Sequence, residues 1–203
     1  VLWQQLVYPY VAGLVFALEL MQEGEHEALN AAYEDPPTST EQVLHPSRYL
    51  DRDEPTWLEF DADREEGAER YYVDVLGEFT FGSVLDQLLG DGMAERAIER
   101  ATTGWDGDRV EAFRFPDDPE RDRIVSLSVW DSTEDAEQFA RVVSRLSAAW
   151  IGPDVEVQSA EGAHGRSWSA TNAGGSLYVE QWGDLSLIVY DAGGDVDADQ
   201  RVD

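Results

Sequence analysis

Neither lysine nor cysteine occurs among the 203 residues, and each absence excludes something. Without cysteine there is no disulfide framework, no thiolate-ligated zinc and no thiol nucleophile. Without lysine the basic residues are 14 arginines, set against 43 Asp and Glu, for a net charge of -29. No basic stripe is available to neutralise phosphates, so nucleic acid is excluded as a partner. An anionic membrane surface is disfavoured for the same reason. Arginine retained for specific pairs, with ammonium groups replaced by carboxylates, is the composition expected of a protein in brine. At ~1 M salt the Debye length is ~3 Å, and the self-repulsion of such a surface is screened. The sequence therefore reads as halophilic.

Long hydrophobic runs are also missing. The most apolar stretch, LVYPYVAGLVFAL at residues 6–18, falls short of the ~20 residues of a membrane-spanning helix and contains Pro9 and Gly13. No charged segment precedes it as in a signal peptide, so it reads as a buried helix. The chain opens inside this apolar pattern without Met, as a fragment or a mature form of a longer protein would. No G-x-S-x-G elbow is found, and Gly174-Gly175 precedes a strand pattern rather than the helix a phosphate loop needs.

What is present is a 42% hydrophobic fraction, enough for a packed core. Residues 1–33 are helical in pattern, with Leu6, Tyr10, Gly13, Leu14, Ala17 and Met21 at helical spacing. Gly24 breaks the helix, and a second piece runs from Glu25 to Tyr33, ended by Asp35-Pro36-Pro37. Thr38 or Ser39 reads as the N-cap of a short helix over Thr40–Leu44, stopped by Pro46. Residues 51–70 read as a charged excursion pinned by Trp57, Leu58 and Phe60. Amphipathic periodicity returns over Tyr71–Leu89, followed by a helix over about 94–102 that Gly104 ends.

The period then becomes two. Val110–Phe115 and Ile124–Trp130 are predicted strands, the second half-buried with Ser126 and Ser128 facing outward. Asp131 to Asp135 opens a helix with a capping hydroxyl and an acidic first turn. Its apolar side is Ala136, Phe139, Ala140, Val143, Leu146 and Trp150. Leu177–Trp182 and Leu185–Tyr190 flank Gly183-Asp184, a hairpin signal. Val155–Gln158 and Arg166–Ala170 are weaker strands. The fold class expected is α+β: a helical N-terminal half (1–103) packed with a C-terminal antiparallel sheet (104–192) carrying one long helix, β-β-α-β-β-β, then an acidic tail (193–203), all one compact unit.

Chemistry has few places to sit. HEALN at 26–30 holds four of the five HExxH positions of a zinc helix, but Asn30 replaces the second imidazole. His164, in EGAHGRS, reads as a loop residue. Asp106-Gly107-Asp108 reads as a turn, with Val110 breaking any calcium-loop pattern, and Asp108-Arg109 as a local ion pair. His45 lies between Leu44 and Pro46, and Glu41 is four residues earlier, within reach of its ring. Two readings stay open. Thr38, Ser39, Thr40, Glu41, Gln42 and His45 form one wall of a ligand cleft, or Thr38, Ser39 and Glu41 cap the short helix and His45 bonds a nearby carbonyl. No residue is assigned as catalytic or as a metal ligand.

The segment AAYEDPPTSTEQVLHPSRYL, residues 31–50, resembles a family of haloarchaeal surface proteins of uncharacterised function. Similar segments occur in bacterial proteins described as zinc metallopeptidases. Leu76-Gly77-Glu78-Phe79, Gly104-Trp105-Asp106-Gly107-Asp108-Arg109, Trp130-Asp131, Asp135-Ala136 and Phe139 extend the resemblance over most of residues 7–145. It implies a protein outside the cell, secreted or lipid-anchored. It also implies an HExxH helix well upstream of PPTSTEQVLHP, so zinc is expected only in a segment preceding this chain, with residues 38–45 lining the cleft beside it. The chain then reads as the C-terminal part of a metallopeptidase-like protein without a complete active site, or as a non-enzymatic envelope or binding module for a peptide or protein. A free-standing enzyme using Glu41 and His45 as acid and base is a third reading.

Overall fold

The structure, a computed structural model, describes residues 2–60, 67–89, 95–145, 150–151, 155–161 and 164–193. The expected helix position Leu146 and the acidic tail beyond Gly193 lie outside the described residues.

The architecture is α+β: a helical N-terminal part and a seven-stranded, wholly antiparallel sheet. Helix α1 (Leu2–Glu34) is broken at Gly24 and Glu25, where the backbone leaves helical geometry (Glu25 φ 52°). Helices α2 (Thr40–Leu44) and α3 (Pro46–Asp51) follow, with Pro46 opening α3 where its missing N–H costs nothing. Strand β1 (Glu69–Asp74) leads into α4 (Gly77–Leu89) and α5 (Glu95–Thr102). Then come β2 (Trp105–Phe115), β3 (Asp118–Trp130) and α6 (Thr133–Arg145). Strands β4 (Gln158–Glu161), β5 (Arg166–Asn172), β6 (Gly175–Trp182) and β7 (Leu185–Ala192) complete the chain. The sheet order is β1-β2-β3-β7-β6-β5-β4. Strand β1 is an addition to the expected order, and the weak strand expected at Val155–Gln158 forms instead at Gln158–Glu161, as β4.

One face of the sheet packs against α6, α4 and α5 through Phe139, Ala140, Val143, Phe81 and Ile98. The other face, Val125, Leu127, Tyr178, Leu187 and Val189, is covered by Phe60 and Leu58 from the charged excursion. The third expected pin, Trp57, is 81% exposed and holds nothing down. Ser126 and Ser128 do not face outward as the alternation suggested; both are buried, because the sheet is covered on both sides. Ser128 Oγ donates to the Ser186 carbonyl and accepts from Trp130 Nε1, and Ser186 Oγ donates to the Ala136 carbonyl. Ser128 and Ser186, being small, let α6 lie close to the strands while their hydroxyls remain paired.

The apolar stripe of α1 is also not the one its spacing suggested. Phe16 and Leu20 are buried, against Tyr49, while Leu6, Tyr10, Leu14 and Met21 are exposed. This stretch is apolar on all sides, and periodicity cannot choose a face from such a pattern. No helix of the described residues is long and apolar enough to cross a membrane.

Arginines serve paired duties. Arg121 and Arg123 both bind the fully buried Asp191, at 2.8 and 2.5 Å. Arg70 and Arg109 both bind the fully buried Glu111, at 2.8 and 2.9 Å. A planar guanidinium fork suits these shared carboxylates in a way an ammonium does not.

Candidate functional site

Residues 38–45 meet the start of α4 and the start of β2 at one junction. Ser39 is the N-cap of α2, its Oγ accepting from the Gln42 amide at 3.1 Å. The Gln42 side chain is buried; it accepts from the Thr38 amide and donates to the Asp53 carbonyl, at 2.8 and 2.7 Å. Thr38 Oγ1 donates to Glu54 at 2.7 Å. Thr40 Oγ1 accepts from the Phe79 amide at 3.3 Å, so it acts as a cap for α4 from a distant part of the chain. Tyr8 of α1 donates to the Thr40 carbonyl and stacks on Phe79, with ring centroids 3.7 Å apart.

Asp108 completes the cap. Its carboxylate accepts from the Leu76 and Gly77 amides, both at 2.8 Å, and from Trp105 Nε1 at 3.0 Å. The expected turn at Asp106-Gly107-Asp108 is instead the first part of β2, and Asp108 serves these donors rather than a local pair with Arg109. A buried negative charge beside the first amides of a helix is favoured by the helix dipole. Burial pushes the Asp108 carboxyl up from its ordinary range, against the three hydrogen bonds. Two glycines are required here. Gly77 has φ +75°, and a Cβ there would lie 2.5 Å from Thr40 Oγ1. A Cβ on Gly107 would lie 2.1 Å from the Thr56 carbonyl oxygen, because residue 56 pairs with Asp106 through its amide and hydroxyl.

Below this lies a group of ionisable side chains. His45 Nε2 meets Glu78 Oε1 at 3.0 Å; the ring's partner is Glu78, not Glu41 or a backbone carbonyl. Glu41 and Glu78 are both buried, and Glu41 Oε1 and Glu78 Oε2 have no hydrogen-bond partner. Burial raises the Glu41 pKa to about 7, with Arg48 opposing and Glu78 reinforcing the shift. The hydrogen bond to Glu78 raises the pKa of His45, burial opposing. Arg48 binds Asp131 and Asp53 and lies 3.7 Å from Glu41. The Asp131 amide in turn donates to the Gly104 carbonyl at 2.7 Å.

The junction leaves an open cleft of about 220 Å³. Thr38, Ser39 and Thr40 line it, opposite Pro55, Thr56 and the exposed Trp57. Glu41, Gln42 and His45 are not part of that lining. Among functional candidates, sequence reasoning missed Glu78, Asp108 and Trp57. Glu78 and Asp108 lie in the motifs LGEF and GWDGDR, which were the available signal; nothing in the sequence marked Trp57 as exposed. His26 and Asn30 of HEALN lie on an exposed face of α1, and His164 precedes β5 with its ring against Trp182 at 5.3 Å. No group of three or more metal-ligating side chains occurs among the described residues.

Fold and junction together define a mixed α+β domain built on a seven-stranded antiparallel sheet. Residues 67–202 match a family described as a domain of unknown function, DUF8575, and the chain belongs to that family. The matched span holds Glu78, Asp108 and the whole sheet but not residues 38–45. No curated protein matches the chain.

Proposed function

We propose that this chain is a non-catalytic binding module of a halophilic cell surface, on a scaffold related to the C-terminal part of metallopeptidase-like proteins. The observation that carries the reading is how the polar groups of residues 38–42 are used. Ser39, Thr40 and Gln42 are engaged in hydrogen bonds that hold α2 and α4, leaving a cleft of hydroxyls, proline and one exposed tryptophan. An exposed tryptophan beside hydrogen-bonding hydroxyls suits recognition of a peptide or protein segment. A zinc helix, on this reading, belongs to a segment upstream, and the exposed apolar side of α1 is a surface such a segment would cover. Lysine-free composition supports the saline setting, and the extracellular placement rests on the resemblance of residues 31–50.

The test is a peptide array probed in molar KCl with the chain and with Trp57→Ala. The chain is expected to retain a defined subset of peptides and the variant to lose them. Identical retention by both, or cleavage of casein by the chain alone, contradicts the reading. The melting temperature is expected to rise from dilute buffer to molar KCl; equal values contradict the halophilic part.

A second reading is favoured by one observation. Burial pushes the Glu41 carboxyl up to about 7 near the His45–Glu78 pair, a protonation range suited to a general acid or base, with Glu41 and His45 outside the lining of the cleft. Under it, casein hydrolysis by the chain would be abolished by His45→Ala.

A further inference from the structure

Between α4, α6 and the sheet lies a second cavity, of about 530 Å³, more than twice the volume of the cleft. That volume falls within the range of small-molecule sites. Among the described residues no charged side chain is found in its lining. Its floor is the helix-covered face of the sheet, where Val110 of β2, Ser126 of β3 and Ile188 of β7 stand opposite one another. Ser126 and Ala112, the next β2 residue on that side, are small, and the space above them is left open beneath α4 and α6. Tyr72 and Ile124, also in the lining, are 44% and 39% exposed, so the cavity is reachable from solvent.

Ser126 is the informative residue. It is 6% exposed, and its Oγ is buried without a hydrogen-bond partner. Ser128 and Ser186, on the same face one step along the sheet, both donate to carbonyls. Ser126 is thus a lining residue whose hydroxyl is closed off from the open space and unpartnered, so it has no hydrogen bond to lose in turning about χ1 towards a ligand. Buried hydroxyls are normally paired, and a water held here would need two to four polar partners.

We propose that this cavity binds a neutral, largely apolar small molecule carrying one carbonyl or hydroxyl oxygen, with Ser126 Oγ as the donor to that oxygen. A carboxylate ligand is disfavoured because, among the described residues, no cation lines the site to pair with it. The proposal is independent of the peptide reading: the two linings share only Leu76, and either can fail while the other stands.

The experiment titrates decane, decanol and decanoate into the full chain in molar KCl, by calorimetry and by thermal shift. Decanol is expected to bind saturably, one molecule per chain, and to raise the melting temperature, with decanoate weaker by at least about tenfold. Ser126→Ala is expected to weaken decanol roughly two- to tenfold and to leave decane unchanged. Ala112→Leu, which fills the floor, is expected to abolish binding of both. If that variant fails to fold, Ser126→Ala, which removes one oxygen, still decides. The proposal is overturned if neither decane nor decanol binds saturably, if decanol binds wild type and Ser126→Ala equally, or if decanoate binds as tightly as decanol.

Discussion

The two ends of α4 are held in opposite ways. Its first turn is fastened by directed polar contacts: Asp108 on the Leu76 and Gly77 amides, Thr40 on the Phe79 amide, His45 on Glu78. Its later turns, Phe81 to Leu88, lie over a largely apolar space in which the Ser126 hydroxyl makes no hydrogen bond. Hydrogen bonds need particular residue types at fixed separations, so the first turn leaves motifs in the sequence. Apolar packing tolerates many solutions of similar volume, so the later turns leave none. A helix fixed at one end and loosely roofed at the other also leaves room for a ligand without disturbing the junction.

The comparison breaks most visibly at Asp108. Asp108→Ala strands two amides and an indole N–H in a buried site, and the expected loss is on the order of 3–5 kcal/mol by chemical denaturation in molar KCl. A loss under ~1 kcal/mol would mean the first turn is not held as described. Gly77→Ala comes next. A side chain at φ +75° and in contact with Thr40 is expected to cost about 2 kcal/mol. In a Thr40→Ala background the cost should shrink, because the contacted atom is gone, and a double-mutant cycle reads that coupling. Additive costs would show that the two residues do not meet. At Ser126, by contrast, Ser126→Ala is expected to change stability little or to raise it, since it removes an unpaired hydroxyl from an apolar wall.

A separate effect is on pH. The Glu41 pKa stands at about 7 in the fold against an ordinary 4.5. The folded state therefore keeps a proton that the unfolded chain gives up. The associated stability is fully present below about 4.5 and is lost as pH rises through about 7. His45, also raised, acts in the same direction at higher pH. Melting temperature in molar KCl is expected to fall across that window and to fall less in Glu41→Gln. An identical slope in the variant would remove Glu41 from the account.

Much of the fold was legible in the sequence. The break at Gly24, the Ser39 cap, the end of α5 at Gly104, the capped start of α6 and the Gly183-Asp184 hairpin all rest on local chemistry, and all occur. What was not legible depended on contacts between distant residues. Strand β1 straddles two expected segments, Glu69 and Arg70 in the charged excursion and Tyr71–Asp74 in the amphipathic pattern that runs on to Val75 and Phe79, and only pairing with β2 makes it a strand. The helix-facing serines looked like a solvent face because a polar side chain carries no sign of being covered. At the site, residues 38–45 were visible as a group, but Glu78, the partner of His45, and Asp108, which caps the same helix start, were not, lying more than thirty residues further along the chain. The short segment that stood out as patterned turns out to be one half of a clamp whose other half lies in LGEF and GWDGDR.

The most direct measurement is amide hydrogen exchange of Leu76, Gly77 and Phe79 in molar KCl, in wild type and in Asp108→Ala. If residues 38–45 and Asp108 together fasten α4, these three amides exchange in wild type only through large-scale opening, and Leu76 and Gly77 lose that protection in the variant. Exchange in wild type as fast as in an open loop would contradict the clamp.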